Sequence, residues 1–210
     1  MKTISVIIGL FLFVSISVFS TENTVKLPPH DLNSNTSLTS ALKNRKSCRS
    51  YSDKGISTQV LSDLLWSAFG VNRTNGKRTA PTAMNTQNIT IYVAMKSGVY
   101  IYDAIDNTLK QYLKDDIRNQ IGYQEFVSIV PVDLIFVADL SKSKSSEKDK
   151  IFYSAMNTGY ISQNVYLFCS ANNLGTVAVG WMKKDKLAKI LKLNKNQRII
   201  LAQPVGYPKL

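Results

Sequence analysis

The sequence predicts an α+β domain, because strand-like and helix-like segments follow one another without the regular alternation of a doubly wound sheet. Two features sharpen this. A hairpin signal joins two short strands near the middle of the chain, and the second half carries one long, largely apolar helix.

In chain order, Thr36 to Lys43 can start a helix with Ser37 or Thr39 as cap, leading into RKSCRSY. Ser57 to Phe69 is a clearer helix: Val60, Leu61, Leu64, Leu65 and Ala68 recur at helical spacing behind a capping Ser57, and Gly70 closes it. Asn75-Gly76 is a turn dipeptide. Ile89 to Ala94 alternates as a strand and pairs with Val99 to Tyr102 across Ser97-Gly98. Asn107 to Gly122 returns to helical spacing through Leu109, Tyr112, Leu113, Ile117 and Ile121. Val132 to Val137 reads as a buried strand, and Ser141 to Lys150 has the composition of a surface loop. The long helix runs from Ile151 to Ala171. Its small face (Ala155, Gly159, Ser162) admits another backbone, while Phe152, Met156, Tyr160, Leu167 and Phe168 supply bulk for a core or a subunit interface. A short strand through Val179, a helix from Lys184 to Leu191 and a strand from Ile199 to Val205 complete the chain.

The first segment places Lys2 ahead of an apolar run that ends in Val18-Phe19-Ser20, the pattern of a cleaved export signal over residues 1–20. A retained anchor is the competing reading, but Ser15 and Ser17 interrupt the run, which falls short of the ~20 apolar residues a spanning helix needs. Residues 21–36, with KLPPHDLNSNTS, read as a linker, and residues 37–210 as one domain with a full core. The formal charge of +12 favours anionic partners. The lysines are spread along the chain, however, with one cluster at Lys142, Lys144, Lys148 and Lys150, so a solvated surface accounts for most of the excess. Two cysteines, Cys48 and Cys169, make no disulfide framework, though one bridge stays open after export. The single histidine, His30, lies in the linker, which argues against metal chemistry.

Three polar clusters carry chemistry. Arg45-Lys46-Ser47-Cys48-Arg49-Ser50-Tyr51 offers planar forks, a point charge and hydroxyls suited to a phosphate, or simply a basic cap on a helix C-terminus. Arg78 to Gln87 precedes a strand: Pro81 stiffens the loop, Ala83 leaves room, and Asn85 and Gln87 can present carboxamides to a planar heterocycle or to their own backbone. In Leu174 to Trp181, the glycine spacing lets main-chain N–H groups approach a ligand. No Ser-His-Asp or Cys-His nucleophile system is visible.

In this order and separation the clusters resemble the nitroreductase family of flavoproteins, over about Leu38 to Pro208. RKSCRSY is similar to that family's RRSxRxF opening, PTAMNTQNITIYV to its PSxxNxQ motif, and GYISQNVYLFCSANNLGT to its GxxxQNxxL helix and following turn. The RTAP start, the Gln163-Asn164 pair and VGYP resemble the branch with thiazoline and oxazoline dehydrogenases. The resemblance implies a central, mostly antiparallel sheet packed with helices, FMN as cofactor, and a homodimer with FMN at the subunit boundary. Arg45, Lys46 and Ser47 would hold the phosphate and ribityl chain, and Arg49 would lie near the flavin N1. Pro81, Thr82 and Asn85 would line the pyrimidine side, with Gln87 also a cofactor-binding residue and amides near Val179 and Gly180 facing N5 and O4. The basic C-terminal extension of many relatives is reduced to Lys209.

The expected activity is ping-pong, two-electron transfer to or from small nitro, quinone or azoline compounds by an exported enzyme. An exported flavin-binding electron relay is the alternative. No nucleic-acid motif is present, and no membrane span is expected once the signal is cleaved.

Overall fold

The computed structural model describes residues 23–31, 33 and 35–209. Twelve elements follow in the order β1 (Thr24–Lys26), α1 (Leu38–Asn44), α2 (Thr58–Phe69), β2 (Ile89–Met95), β3 (Gly98–Asp103), β4 (Thr108–Leu113), α3 (Phe126–Ile129), β5 (Val132–Asp139), α4 (Glu147–Ala171), β6 (Gly175–Thr176), α5 (Lys184–Ile190) and β7 (Gln197–Gly206). The strands form one antiparallel sheet in the order β1-β4-β3-β2-β5-β7-β6. The α+β expectation and the antiparallel sheet are both met.

Local chemistry sets the helix starts. Ser37 caps α1 by accepting from Ser40 N, and Ser57 caps α2 by accepting from Val60 N, each satisfying an otherwise unpaired first-turn donor. The central strand β5 is buried on both faces. Leu134, Phe136 and Ala138 meet α2 and α4 through Leu64, Leu65, Phe69, Ile161 and Val165. Ile135 and Val137 face a second core with Ile121, Val127 and Leu187. Truncating Phe136, which is fully buried, would cost about 3–5 kcal/mol.

The expectation of a helix over Asn107 to Gly122 is corrected: Thr108–Leu113 is β4, paired with β3 and β1, and Arg118–Gln120 is a single 3-10 turn. The deciding feature is a tight turn after β3. Asp103 Oδ1 accepts from the N–H groups of Ile105 and Asp106, and Asn107 takes a positive φ of 50°. Gly98, at φ +129°, makes the preceding β2–β3 turn, where any Cβ would strike the Leu113 carbonyl.

The segment read as a linker contributes β1. It also buries Leu27 and stacks His30 on Trp66 at 4.4 Å. The long helix begins at Glu147, inside the expected loop, because Ser146 caps it by accepting from Asp149 N. The expected signal segment, residues 1–20, lies outside the described residues. Among the described residues, no helix is long and apolar enough to cross a membrane.

Candidate functional site

The Arg45–Tyr51 segment leaves α1 and is clamped between two backbone neighbours. Cys48 N donates to Thr176 O at the sheet edge, while Ser52 N donates to Tyr207 O and Lys209 N to Ser50 O. The side chain of Cys48 fills the space above Gly175, where an added Cβ would come within 2.7 Å of its sulfur. Tyr51 is buried and donates to Cys48 O at 2.6 Å; burial pushes its phenol well above the usual range. Arg45, Lys46 and Arg49 have no carboxylate partner among the described residues. Arg45 and Lys46 rim a recess of about 740 Å³ in which Cys48, Tyr166, Gly175 and Pro208 also take part, while Arg49 lies outside its wall. Lys209 is brought beside Ser50, yet lines a separate recess with Tyr51, Asp53 and Ile129. Both thiols are free; Cys169 is fully buried, which raises its pKa.

The Pro81–Gln87 loop is strained. Met84, Asn85 and Gln87 take positive φ values of 52°, 53° and 44°, a conformation unfavourable to side-chain-bearing residues. It persists because the surroundings hold it. Asn157 of α4 accepts from Ala83 N through Oδ1 and donates to Asn88 Oδ1 through Nδ2; Asn88 in turn donates to Ser154 Oγ. Gln87 is committed to the protein at both ends of its carboxamide: Oε1 accepts from Arg78 Nε, and Nε2 donates to Gly76 O and Asn85 Oδ1. Gln87 thus builds the loop rather than facing outward as expected. Arg78, stacked 4.6 Å over Phe69, is the buttress, and burial lowers its pKa. Pro81, Met84 and Asn85 remain exposed.

In the Val177–Gly180 turn, the N–H and C=O of Val179 both pair with Ala202, and Ala178 N donates to Tyr166 Oη at 2.8 Å. Of the two amides expected to face a ligand, Val179's is therefore used within the protein. Gly180 is exposed, and a side chain built on it would meet open space.

One chain does not gather all three clusters around one point. The Arg45–Ser47 turn leans on Tyr166, and the Pro81–Gln87 loop hangs on Asn157. Nine residues of α-helix place these anchors about 13 Å apart along the axis and half a turn apart around it. α4 also wears its faces inside out. It buries Ser154, Asn157, Thr158, Ile161, Ser162 and Val165 against the sheet, while Phe152, Met156 and Tyr160 stand exposed beside Gly159.

The sequence profile described as the Nitroreductase family matches residues 42–207. The chain belongs to the nitroreductase family. It is 31% identical over 180 residues to a Methanocaldococcus jannaschii protein named as a nitroreductase, covering 80% of this chain and 90% of that one. A nitroreductase structure from Ralstonia eutropha superposes with a TM-score of 0.85 at 36% identity, covering 92% of this chain and 93% of the other. A Desulfovibrio desulfuricans member, solved in complex with FMN, shares the fold at a TM-score of 0.61 and 18% identity, covering 83% and 88%.

Within this nitroreductase fold, sequence reasoning missed three residues of the site. Asn157 and Asn88 are buried polar residues whose partners are about 70 positions apart, and Tyr166 is hidden among the apolar bulk of α4. A fourth missed residue, Asp133, lies on the sheet face opposite α4; it is fully buried, with both carboxylate oxygens unpartnered. Burial raises its pKa well above the usual carboxylate range.

Proposed function

We propose that the chain is an exported, FMN-dependent oxidoreductase working as a homodimer, passing electron pairs between small organic molecules in ping-pong fashion. The observation that carries this reading is the Arg45–Arg49 turn, where three cations and the Ser47 hydroxyl lack any carboxylate partner among the described residues. That donor set fits a phosphate monoester, which accepts forked guanidinium and hydroxyl hydrogen bonds together. The family fold around it, with one neighbour holding FMN, supports the choice of cofactor.

When bound, FMN supplies reversible two-electron chemistry. Arg45, Lys46 and Ser47 hold its phosphate and ribityl chain, and Arg49 places fixed positive charge near N1, favouring the charge that develops on reduction. The exposed Gly180 backbone would meet the reacting edge. Pro81, Thr82 and Asn85 complete the pyrimidine side from a second copy, in keeping with the separation of the two clusters across α4. The exposed Phe152, Met156 and Tyr160 face supplies the subunit contact. RTAP, Gln163-Asn164 and VGYP favour the thiazoline and oxazoline dehydrogenase branch, so nitro, quinone and azoline compounds form the substrate class.

Reconstitution tests the reading. Purified protein incubated with FMN should hold a band at about 450 nm through gel filtration, and stopped-flow mixing with a panel of donors should bleach it. Protein that stays colourless refutes the assignment. Export is tested by sequencing the N-terminus of the mature protein, where cleavage after about residue 20 is expected.

A further inference from the structure

Tyr166 makes contact with two of the three clusters at once. Its hydroxyl accepts from Ala178 N at 2.8 Å and lies 3.2 Å from Ser47 Oγ, and its ring carries the Arg45 guanidinium at 5.3 Å. A phenol has one proton and two lone pairs. Ala178 takes one lone pair, and between the phenol and Ser47 either hydroxyl can donate; in both arrangements the contact ties Ser47 to Tyr166 beside the recess that Arg45 and Lys46 line.

The turn that Tyr166 touches has two side supports. Val179 is fixed by its paired bonds to Ala202, and Ala178 is fixed by the phenol; Gly180, the residue after Val179, is exposed with open space beside it. The backbone bond from Cys48 N to Thr176 O joins the same two segments lower down, where it cannot sense a ligand on the side chains of Arg45 and Ser47. The side-chain link is the only one, among the described residues, running from the anion-binding groups to the residue two before Gly180.

We propose that Tyr166 is a positioning residue that couples the anion seat at Arg45 and Ser47 to the Val177–Gly180 turn, so that seating a phosphate also sets the Gly180 amide against the ring of the ligand. This inference rests on the FMN reading above. Its chemical requirement is a ligand carrying both a phosphate and a planar redox ring, since either alone would engage one end of the link.

The test uses the full-length dimer and the variant Tyr166→Phe, which keeps the ring beneath Arg45 and removes the hydroxyl. Affinities for FMN and for riboflavin are read by flavin fluorescence quenching, and the flavin midpoint potential and visible spectrum are read on the loaded protein. Tyr166→Phe should bind FMN about three- to tenfold more weakly, the span expected for one net hydrogen bond. Riboflavin affinity should change less, and both the potential and the long-wavelength band should shift. Ser47→Ala serves as the second variant: it cuts the anion end of the link, so it should weaken FMN binding and shift the potential in the same direction as Tyr166→Phe, by less because the ring still carries Arg45. Wild-type protein that binds neither flavin overturns the cofactor reading itself. Wild-type protein that binds FMN normally, with Tyr166→Phe matching it in potential and spectrum, overturns the coupling alone. Ser47→Ala protein that binds FMN more weakly yet keeps the wild-type potential also overturns it, leaving Tyr166 a static support of the turn.

Discussion

Asp133 offers the sharpest perturbation of the fold, because its charge has nowhere to go. It sits on β5 opposite Ala94 and Pro204, is fully buried, and neither oxygen has a hydrogen-bond partner. The nearby cation is already spent. Arg118 holds Asp116 through Nε and Nη2 at 2.9 and 2.7 Å and gives Nη1 to Val130 O. Desolvation therefore raises the Asp133 pKa, Arg118 opposes this, and the Asp116 charge adds to it. In the native chain Asp133 keeps its proton to a higher pH than in the unfolded chain. Between those two pKa values the unfolded state binds fewer protons, so stability falls as pH rises. One such group removes about 1.4 kcal/mol of stability per pH unit across that window. Below about pH 4, the ordinary aspartate value, both states are protonated and the penalty vanishes. Asp133→Asn is neutral throughout. Its stability relative to wild type should be flat below about pH 4 and should then improve by up to about 1.4 kcal/mol per pH unit as pH rises. Urea unfolding followed by tryptophan fluorescence, at fixed protein concentration from acid to neutral pH, measures the difference. A gap between the two proteins that stays constant across that range refutes the buried-acid reasoning.

Three other outcomes follow from packing and strain. Gly175→Ala drives a methyl to within 2.7 Å of Cys48 Sγ and 2.8 Å of its Cβ, so it should destabilise the chain by about 1–3 kcal/mol and weaken FMN binding in the same titration; unchanged values would mean the Arg45–Ser47 turn gives way freely. Asn157→Ala strips the partner from Ala83 N and leaves buried Asn88 Oδ1 only a 3.5 Å contact with Thr86 Oγ1, a loss of about 1–3 kcal/mol, and hydrogen exchange should accelerate at residues 83–88; protection there equal to wild type would count against the clamp. Met156→Glu puts a charge in the middle of the exposed Phe152–Tyr160 face, and gel filtration should show a monomer with little bound flavin; a persistent dimer would place the subunit contact elsewhere.

The parts of the fold legible in the sequence are those whose signals are local. Ser57, the spacing from Val60 to Ala68 and Gly70 each mark α2, and the observed helix has that cap and that end. Residues 108–113 failed the same test, because Leu109, Tyr112 and Leu113 suit a helix face as well as a strand. What decides for the strand is the preceding turn, made by Asp103 and Asn107 without glycine or proline, and pairing to β3 and β1. β1 itself is three residues long and is defined by a partner more than 80 positions away. In the site, residue types were legible and directions were not. Gln87 was found in the right loop, but the positive φ values there turn its carboxamide inward to Arg78 and Gly76.

The same helix explains why one chain carries the clusters yet does not bring them together. α4 devotes its buried face to polar residues, some of which satisfy its own backbone: Ser154 Oγ donates to Lys150 O and Thr158 Oγ1 to Ser154 O. Others, chiefly Asn157, reach out to hold the strained Pro81–Gln87 loop. Near its other end Tyr166 holds the cationic turn. A helix used in this way cannot also bury its aromatic residues in its own core, so Phe152, Met156 and Tyr160 are left outside. In the proposed dimer, covering them with a second copy would remove that apolar surface from water and would bring each loop toward the opposite chain's cations. Assembly and ligand binding are then linked by mass action: a ligand held by both chains stabilises the dimer over separated monomers, by an amount that grows with its concentration relative to Kd.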